Sequence, residues 1–163
     1  MKNIVLARVD DRLIHGEVVS VWTPSLSANR IVIADDEVAA DKFNSKLLKL
    51  LAPAGVRVNV YTVSEASEKL AGEFKKEEKI IVLVKTPITF EKMLEAGVEL
   101  KHVNLGGMGI KNERTPFVKN VACSPKEVDS IKNMMNKGVH VYYQLVPEQQ
   151  IIEVSEVMKK RKE

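Results

Sequence analysis

Two arginines, two aspartates and a histidine fall within eight residues in Arg8-Val9-Asp10-Asp11-Arg12-Leu13-Ile14-His15, and Gly16 and Glu17 follow. His15 is the one side chain in this stretch that is both a nucleophile and a proton acceptor near neutral pH. A neutral imidazole attacks phosphorus or a carbonyl carbon and forms a covalent intermediate. Gly16 adds no bulk in the path of an approaching group. Arg8 and Arg12 carry planar forks of donors that match phosphate oxygens. An aspartate that holds one imidazole nitrogen as N–H leaves the other free to attack. With no serine or cysteine in the stretch, the set suits a phosphoryl group carried on His15 better than acyl transfer. The plain alternative is a solvated, charged loop with an incidental histidine.

The elements on either side place this loop. An apolar run over 4–9 leads in, and Val18, Val19, Trp22 and Leu26 at helical spacing lead out. A strand that runs into a charged loop and then a helix is where open α/β sheets bind ligands, outside the carboxyl end of the strand. A helix that begins near His15 also offers free N–H groups and the positive end of its dipole to an anion. Further strands are predicted at 30–34, 57–61, 79–84, 102–105, 118–123 and 139–143, most of them rich in Val and Ile with little polar alternation, as in a sheet covered on both faces. Helices are predicted at 16–26, 38–51, 64–75, 88–96, 125–137 and 147–160. Ser64 is placed as one N-cap, and Ser124 before Pro125 as another. Gly55, Gly97 and Gly138 are read as left-handed residues that close helices. The 105–118 link has no helical stretch, so a strand there is expected to run antiparallel. The expected architecture is α/β: a single doubly wound domain over 1–163, with a mainly parallel sheet of about seven strands and helices on both faces. The sheet order should reverse beside the first strand and so open a crevice for His15.

Composition narrows the function. A net charge of +3 in 163 residues is an ordinary balance, and the basic run Lys159-Lys160-Arg161-Lys162 reads as a solvated helix end. No apolar run is long enough to span a bilayer, and Met1-Lys2-Asn3 leads straight into a strand rather than a signal core. The single Cys123 cannot form an internal disulfide, which fits a reducing cytoplasm. There is no P-loop and no G-x-G-x-x-G at the first turn, no Cys/His cluster for zinc, and neither the aromatics nor the basic stripe of a nucleic-acid binder. No cofactor or metal is expected.

Other residues carry weaker signals. Asp35-Asp36 reads as a turn and helix cap that can border the His15 pocket. Lys85-Thr86-Pro87 leaves the fourth strand at the same edge, where Thr86 caps a helix or touches a phosphate. Gly106-Gly107-Met108-Gly109 offers an anion nest, although a flexible turn is commoner. Lys111 and Arg114 read as solvated loop charges by default, and the alternative is a basic docking face. His102 and His140, at strand starts, read as structural, and Trp22 as helix core.

Arg8-Val9-Asp10-Asp11-Arg12-Leu13-Ile14-His15-Gly16, followed by Val18 and Trp22, resembles the signature of the IIB subunit of the mannose/fructose/sorbose family of the bacterial phosphotransferase system. Lys85-Thr86-Pro87, Asn104-Leu105-Gly106-Gly107-Met108 and Val146-Pro147 are similar to it as well, so the likeness covers nearly the whole chain. The resemblance implies a phosphoryl carrier in sugar uptake: His15 accepts a phosphoryl group from a phosphohistidine on a IIA domain and passes it to a sugar taken up through membrane subunits IIC and IID. It implies a cytoplasmic protein held peripherally at the membrane by those subunits. In this reading Arg8 and Arg12 balance the phosphoryl charge and Asp10 orients the imidazole or pairs with an arginine. Gly16, Lys85 and Thr86 contribute phosphate binding or docking. Arg12→Ala is expected to slow transfer more than Asp10→Asn. The sequence departs from the family at Glu17, where glutamine is more usual. The sugar (mannose, fructose, sorbose or an amino sugar) and the oligomeric state, a homodimer included, stay open. The second reading is a non-catalytic phosphate- or nucleotide-binding module, in which His15 only hydrogen-bonds a ligand.

Overall fold

The computed structural model describes residues 3–161; Met1, Lys2 and Lys162, named above for the chain ends, lie outside them. Strand β1 (Ile4–Asp10) runs into the charged loop. A helix, α1, follows as a π-helical turn, Val18–Trp22, continued by Thr23–Ser25. Pro24 has no N–H to give to the preceding turn, and a widened turn just before it accommodates that loss. The chain continues through β2 (Arg30–Ala34), α2 (Asp36–Ala40), α3 (Lys42–Leu50), β3 (Arg57–Tyr61), α4 (Val63–Ala71), β4 (Ile80–Val84), α5 (Pro87–Glu95) and β5 (His102–Gly107). A small hairpin, β6 (Thr115–Val118) and β7 (Val121–Cys123), precedes α6 (Pro125–Asn136), β8 (His140–Tyr143), β9 (Ile152–Glu153) and α7 (Val154–Arg161).

The main sheet has the order β3-β2-β4-β1-β5-β8-β9, parallel throughout except for β9, which runs antiparallel to β8. From β1 the chain leaves toward β2 on one side, and from β5 it leaves toward β8 on the other. The order therefore reverses beside β1, as expected, and the β1/β5 gap opens at the carboxyl edge that carries His15. Two apolar layers flank the sheet. One joins Leu13, Ile14, Val18, Trp22 and Val38 to Leu6, Ile31 and Leu83; the other joins α4 to α7 to Val9, Val32 and Val82.

Several boundaries differ from the sequence reading. The strand expected at 118–123 breaks at Lys119, whose φ is +46, into the turn of the antiparallel β6/β7 hairpin outside the main sheet. The seventh strand of the main sheet is β9, which lies inside the stretch read as a helix from 147. The helix expected at 38–51 is two, because Asp41 caps a fresh start by accepting from the Asn44 N–H. Thr62, not Ser64, caps α4, in a reciprocal pair with Glu65. Ser124 caps α6 as expected. Gly97 and Gly138 end α5 and α6 at φ +99 and +91, whereas Gly55, at φ +78, turns the loop after α3 rather than the helix end. Among the described residues no helix is long and apolar enough to cross a membrane.

Candidate active site at the end of the first strand

Side chains alternate along a strand, so Arg8 and Asp10 share the face of β1 that carries Leu6. Arg8 is fully buried there. Its guanidinium donates to Asn104 Oδ1 at 2.7 Å, to the Gln144 carbonyl at 3.1 Å and to Asp10 Oδ2 at 3.2 Å, and it lies 5.3 Å from the centre of the Trp22 ring. Its Nε is buried with no acceptor among the described residues. Burial lowers its pKa and the neighbouring Asp10 raises it; a guanidinium in this setting stays charged.

Room for this cation comes from Gly106. A Cβ at that position would stand 2.2 Å from Arg8 Cζ. Gly106 is thus neither part of an anion nest nor a flexible turn, but a gap in β5 filled by the guanidinium. Gly106→Ala is expected to drive Arg8 out of line and to cost about 1–3 kcal/mol of stability, the usual range for overpacking. Chemical denaturation checks this, and an unchanged midpoint would show that Arg8 has another place to go.

Asp10 joins the cluster together. It is buried at the end of β1 and accepts from Arg8 Nη2, from the backbone N–H, Nε and Nη2 of Arg12 at 3.1, 3.2 and 3.3 Å, and from His15 Nε2 at 3.1 Å. Burial pushes its pKa up. Hydrogen bonds from His15 and Arg12 and the charge of Arg8 outweigh that push and hold the carboxyl well below the usual carboxylate range. An ionised carboxylate only accepts. The hydrogen therefore sits on Nε2 of His15, and Nδ1 keeps its lone pair.

The loop that carries these groups is pegged by apolar residues. Leu13 and Ile14 are buried in the same layer as Trp22, and Leu13 takes φ +57 in a turn closed by its N–H on the Asp10 carbonyl at 2.9 Å. Such a conformation costs a non-glycine residue about 1–3 kcal/mol and persists only where packing holds it. The first helical bond after the loop runs from the Val19 N–H to the His15 carbonyl. Gly16 is exposed, and a Cβ on it would meet nothing within 4 Å, so the approach to His15 is open.

A second ionic network ties the loop to the rest of the carboxyl edge. Asp11 accepts from Arg114 Nη1 at 2.9 Å and from the Gly109 N–H at 2.7 Å, and Lys111 stands 3.8 Å away. Arg114 also donates to both oxygens of Glu127, at 2.8 and 2.9 Å, and to the Lys85 carbonyl at 3.2 Å. Arg114 is thus no solvated loop charge; it is buried because it has two carboxylates to pair with. Burial raises the Glu127 pKa, but donors from Arg114 and Thr86 outweigh it and the net shift is downward. Thr86 caps α5, accepting from the Ile88 N–H at 3.3 Å, and gives its hydroxyl to Glu127 at 2.7 Å. Asp35 caps α2 and Asp36 accepts from the Val63 N–H, so both are committed to turns. Trp22 is helix core, as read, and its Nε1 also donates to the Leu145 carbonyl at 3.0 Å. His102 and His140 pair with each other at the amino end of β5 and β8, away from this edge.

Of the residues singled out beforehand, Arg8, Asp10, Arg12 and His15 meet in one cluster. Arg8, expected to face a phosphoryl group, is corrected to a place behind Asp10, because it is fully buried and both its Nη atoms donate to protein acceptors, Asp10, Asn104 and the Gln144 carbonyl. Beside Arg12 lies a cleft of about 780 Å³, lined by Asp10, Glu17 and, from the hairpin turn, Lys119 and Asn120. Glu17 Oε2 is buried without a donor among the described residues. Sequence reasoning missed Asn104 and the Gln144 backbone carbonyl, which hold Arg8, and Asn120, which fixes the hairpin to the Gly106 carbonyl, because amides and main-chain groups carry no signal until their partners are known.

The family profile described as "PTS system sorbose subfamily IIB component" matches residues 4–163. The chain is similar to the "PTS system fructose-specific EIIB component" of Bacillus subtilis, 31% identical over 90% of each chain. It is also similar to the "PTS system mannose-specific EIIAB component" of Escherichia coli, 35% identical over 85% of this chain and 43% of that protein. Among solved structures, the IIBSor domain of the sorbose permease from Klebsiella pneumoniae superposes with a TM-score of 0.90 at 29% identity, over 97% of both chains.

Proposed function

This chain belongs to the sorbose-subfamily IIB components of the phosphotransferase system, which move a phosphoryl group to sugar during uptake, and on that premise we propose that its phosphoryl carrier is Nδ1 of His15. The observation that carries this reading is the contact of His15 Nε2 with a buried, ionised Asp10, which leaves Nδ1 as the free nucleophile. In the first half-reaction the N–P bond on a IIA phosphohistidine breaks as an N–P bond forms at Nδ1. The proton on Nε2 stays where it is. The ring gains positive charge as that bond forms, and Asp10 lies against it. Arg12, with 51% of its side chain exposed beside the cleft, swings to the equatorial oxygens, where charge spreads during transfer. Arg8 acts through Asp10 by holding its carboxylate in place. Gly16 leaves the approach clear. Lys85 stands in the groove beside Arg12 and Leu13 as a docking charge, and Thr86 acts through Glu127 and Arg114 on the Asp11 side of the loop. In the second half-reaction a sugar hydroxyl attacks the phosphorus, its proton passes to water, and the N–P bond breaks with its electron pair returning to Nδ1.

The partners in this reading are a IIA donor domain, the membrane subunits IIC and IID, and the sugar they admit. The chain would work in the cytoplasm, held at the membrane through those subunits. The EIIAB name of the E. coli relative places donor and carrier domains in one protein, which supports the pairing with IIA. Intact-mass analysis after incubation with a phosphorylated IIA domain tests the assignment. A covalent phosphoryl group that is labile in acid and stable in alkali is expected, as for a phosphoramidate. Reversible phosphate binding with no mass gain would overturn it in favour of a binding module.

A further inference from the structure

Helix α3 packs Leu48 against the core and carries more apolar surface than that contact uses. None of its residues is buried. Six large hydrophobic side chains are exposed among the described residues, and four of them lie on α3 and the residue that ends it: Phe43 at 72%, Leu47 at 45%, Leu50 at 73% and Leu51 at 49%. At about 100° per residue, Phe43, Leu47 and Leu50 stand on one face. Leu51 lies next round the helix on one side, and Lys42, Lys46 and Lys49 border the other. A contiguous apolar ridge of this kind marks a contact surface. Between the ridge and the catalytic loop runs a groove of about 380 Å³, lined by Arg12, Leu13, Asn44, Leu47, Leu51 and Lys85.

We infer that the α3 ridge and this groove are the docking face for the phosphoryl-donor domain, an inference that rests on the carrier role of His15 proposed above. A protein that brings its own phosphohistidine to His15 must cover the Arg12–Leu13 segment, and that segment is the groove wall. The ridge continues the covered surface outward as an apolar centre, and Lys42, Lys46, Lys49 and Lys85 form its basic border. The complementary donor face is apolar at its middle and acidic at its rim. A bilayer would also accept Phe, Leu and Lys on one helix. Lipid on this ridge would lie over the catalytic loop, however, and close His15 to donor and sugar alike. The other concavity that Arg12 lines, with Asp10, Glu17, Lys119 and Asn120, is polar and does not share the ridge.

The test is steady-state phosphorylation of the full chain by a IIA domain that phosphorylates wild type, set beside transfer from the phosphorylated chain to sugar in membranes that hold the transport subunits. The double variant Phe43→Ala/Leu50→Ala is expected to need about tenfold more IIA for half-maximal rate, as loss of anchoring side chains does. Its rate at saturation and its transfer to sugar should stay within twofold of wild type. Unchanged IIA dependence would overturn the inference. So would a defect confined to the sugar step, which would give the ridge to the transporter. Loss of binding to phosphatidylglycerol vesicles with normal IIA kinetics would give it to the bilayer. If no IIA domain phosphorylates wild-type His15, the function proposed above fails and takes this inference with it; a phosphorylated wild type with an indifferent variant sinks the docking face alone. Leu50→Gln, at a single exposed side chain, repeats the measurement should the double variant unfold.

Discussion

His15→Ala is expected to abolish phosphorylation of this chain, by about 10³-fold or more, while the chain stays folded. The size of the loss follows from the chemistry: without the imidazole there is no nucleophile for the N–P bond, and removal of a nucleophile leaves only the residual effect of binding. The fold survives because His15 is tied to it by little. Its side chain is 13% exposed and holds one hydrogen bond, to Asp10, which keeps its bonds to Arg8 and Arg12. Leu13 and Ile14, which peg the loop, are untouched. Intact mass reports the phosphoryl group and thermal unfolding reports the fold. Phosphorylation retained in the variant would point to another histidine. The candidates, His102 and His140, pair through Nδ1 at 3.0 Å at the opposite sheet edge, and Glu153 sits 2.6 Å from His140. Both stand at the amino ends of β5 and β8, across the sheet from the Asp10–Arg12 cluster, so the variant should carry none.

The sequence shows this site because its members lie close together along the chain. Two-residue alternation puts Arg8 and Asp10 on one face of β1, and a strand that runs into a loop places His15 at a carboxyl edge whatever the order of the other strands. The reversal of sheet order beside β1 follows from the same rule and is found. What could not be read is what lies across the sheet. Arg8 looks like a phosphate donor until Asn104, the Gln144 carbonyl and the gap at Gly106 are seen to enclose it, and they lie 96 or more positions away along the chain. Arg114 looks like a loop charge until Asp11 and Glu127 arrive from two other elements. The 118–123 strand and the first part of the 147–160 helix, ahead of α7, failed for a related reason. A strand's partner, and so its sheet, is decided by tertiary packing, and periodicity does not distinguish a hairpin from a place in the main sheet.

Asp10→Asn is expected to be the more damaging of the two charge changes at the site, which reverses the order that the sequence suggested. Asparagine keeps the shape of the side chain and one acceptor, and on that ground it looks mild. In the folded chain, however, the Oδ2 position faces three donors at once, from Arg8, Arg12 and His15. An amide nitrogen there sets hydrogens against hydrogens. Turning the amide round only moves the conflict to Oδ1, which faces the backbone N–H and Nε of Arg12. The fully buried Arg8 also loses its counter-charge, and a buried pair broken on one side costs about 3–5 kcal/mol. His15 relieves its part of the conflict by moving its proton to Nδ1, which removes the lone pair from the attacking nitrogen; a wrong tautomer of this kind lowers rates by about 10⁴-fold. Arg12→Ala removes a half-exposed donor and should slow both half-reactions by about 100–1,000-fold with little change in stability. The pH dependence separates stability from chemistry. Asp10 titrates lower folded than unfolded, so its stabilisation is fully present above its unfolded pKa of about 3.9 and is lost as the pH falls through its folded value. The stability gap between wild type and Asp10→Asn should therefore narrow below about pH 4. Urea unfolding on either side of that pH and rapid-quench measurement of each half-reaction test the two halves of the expectation. A variant that transfers faster than Arg12→Ala in both directions, with a stability gap that does not narrow in acid, would mean that Asp10 neither holds Arg8 nor sets the His15 tautomer.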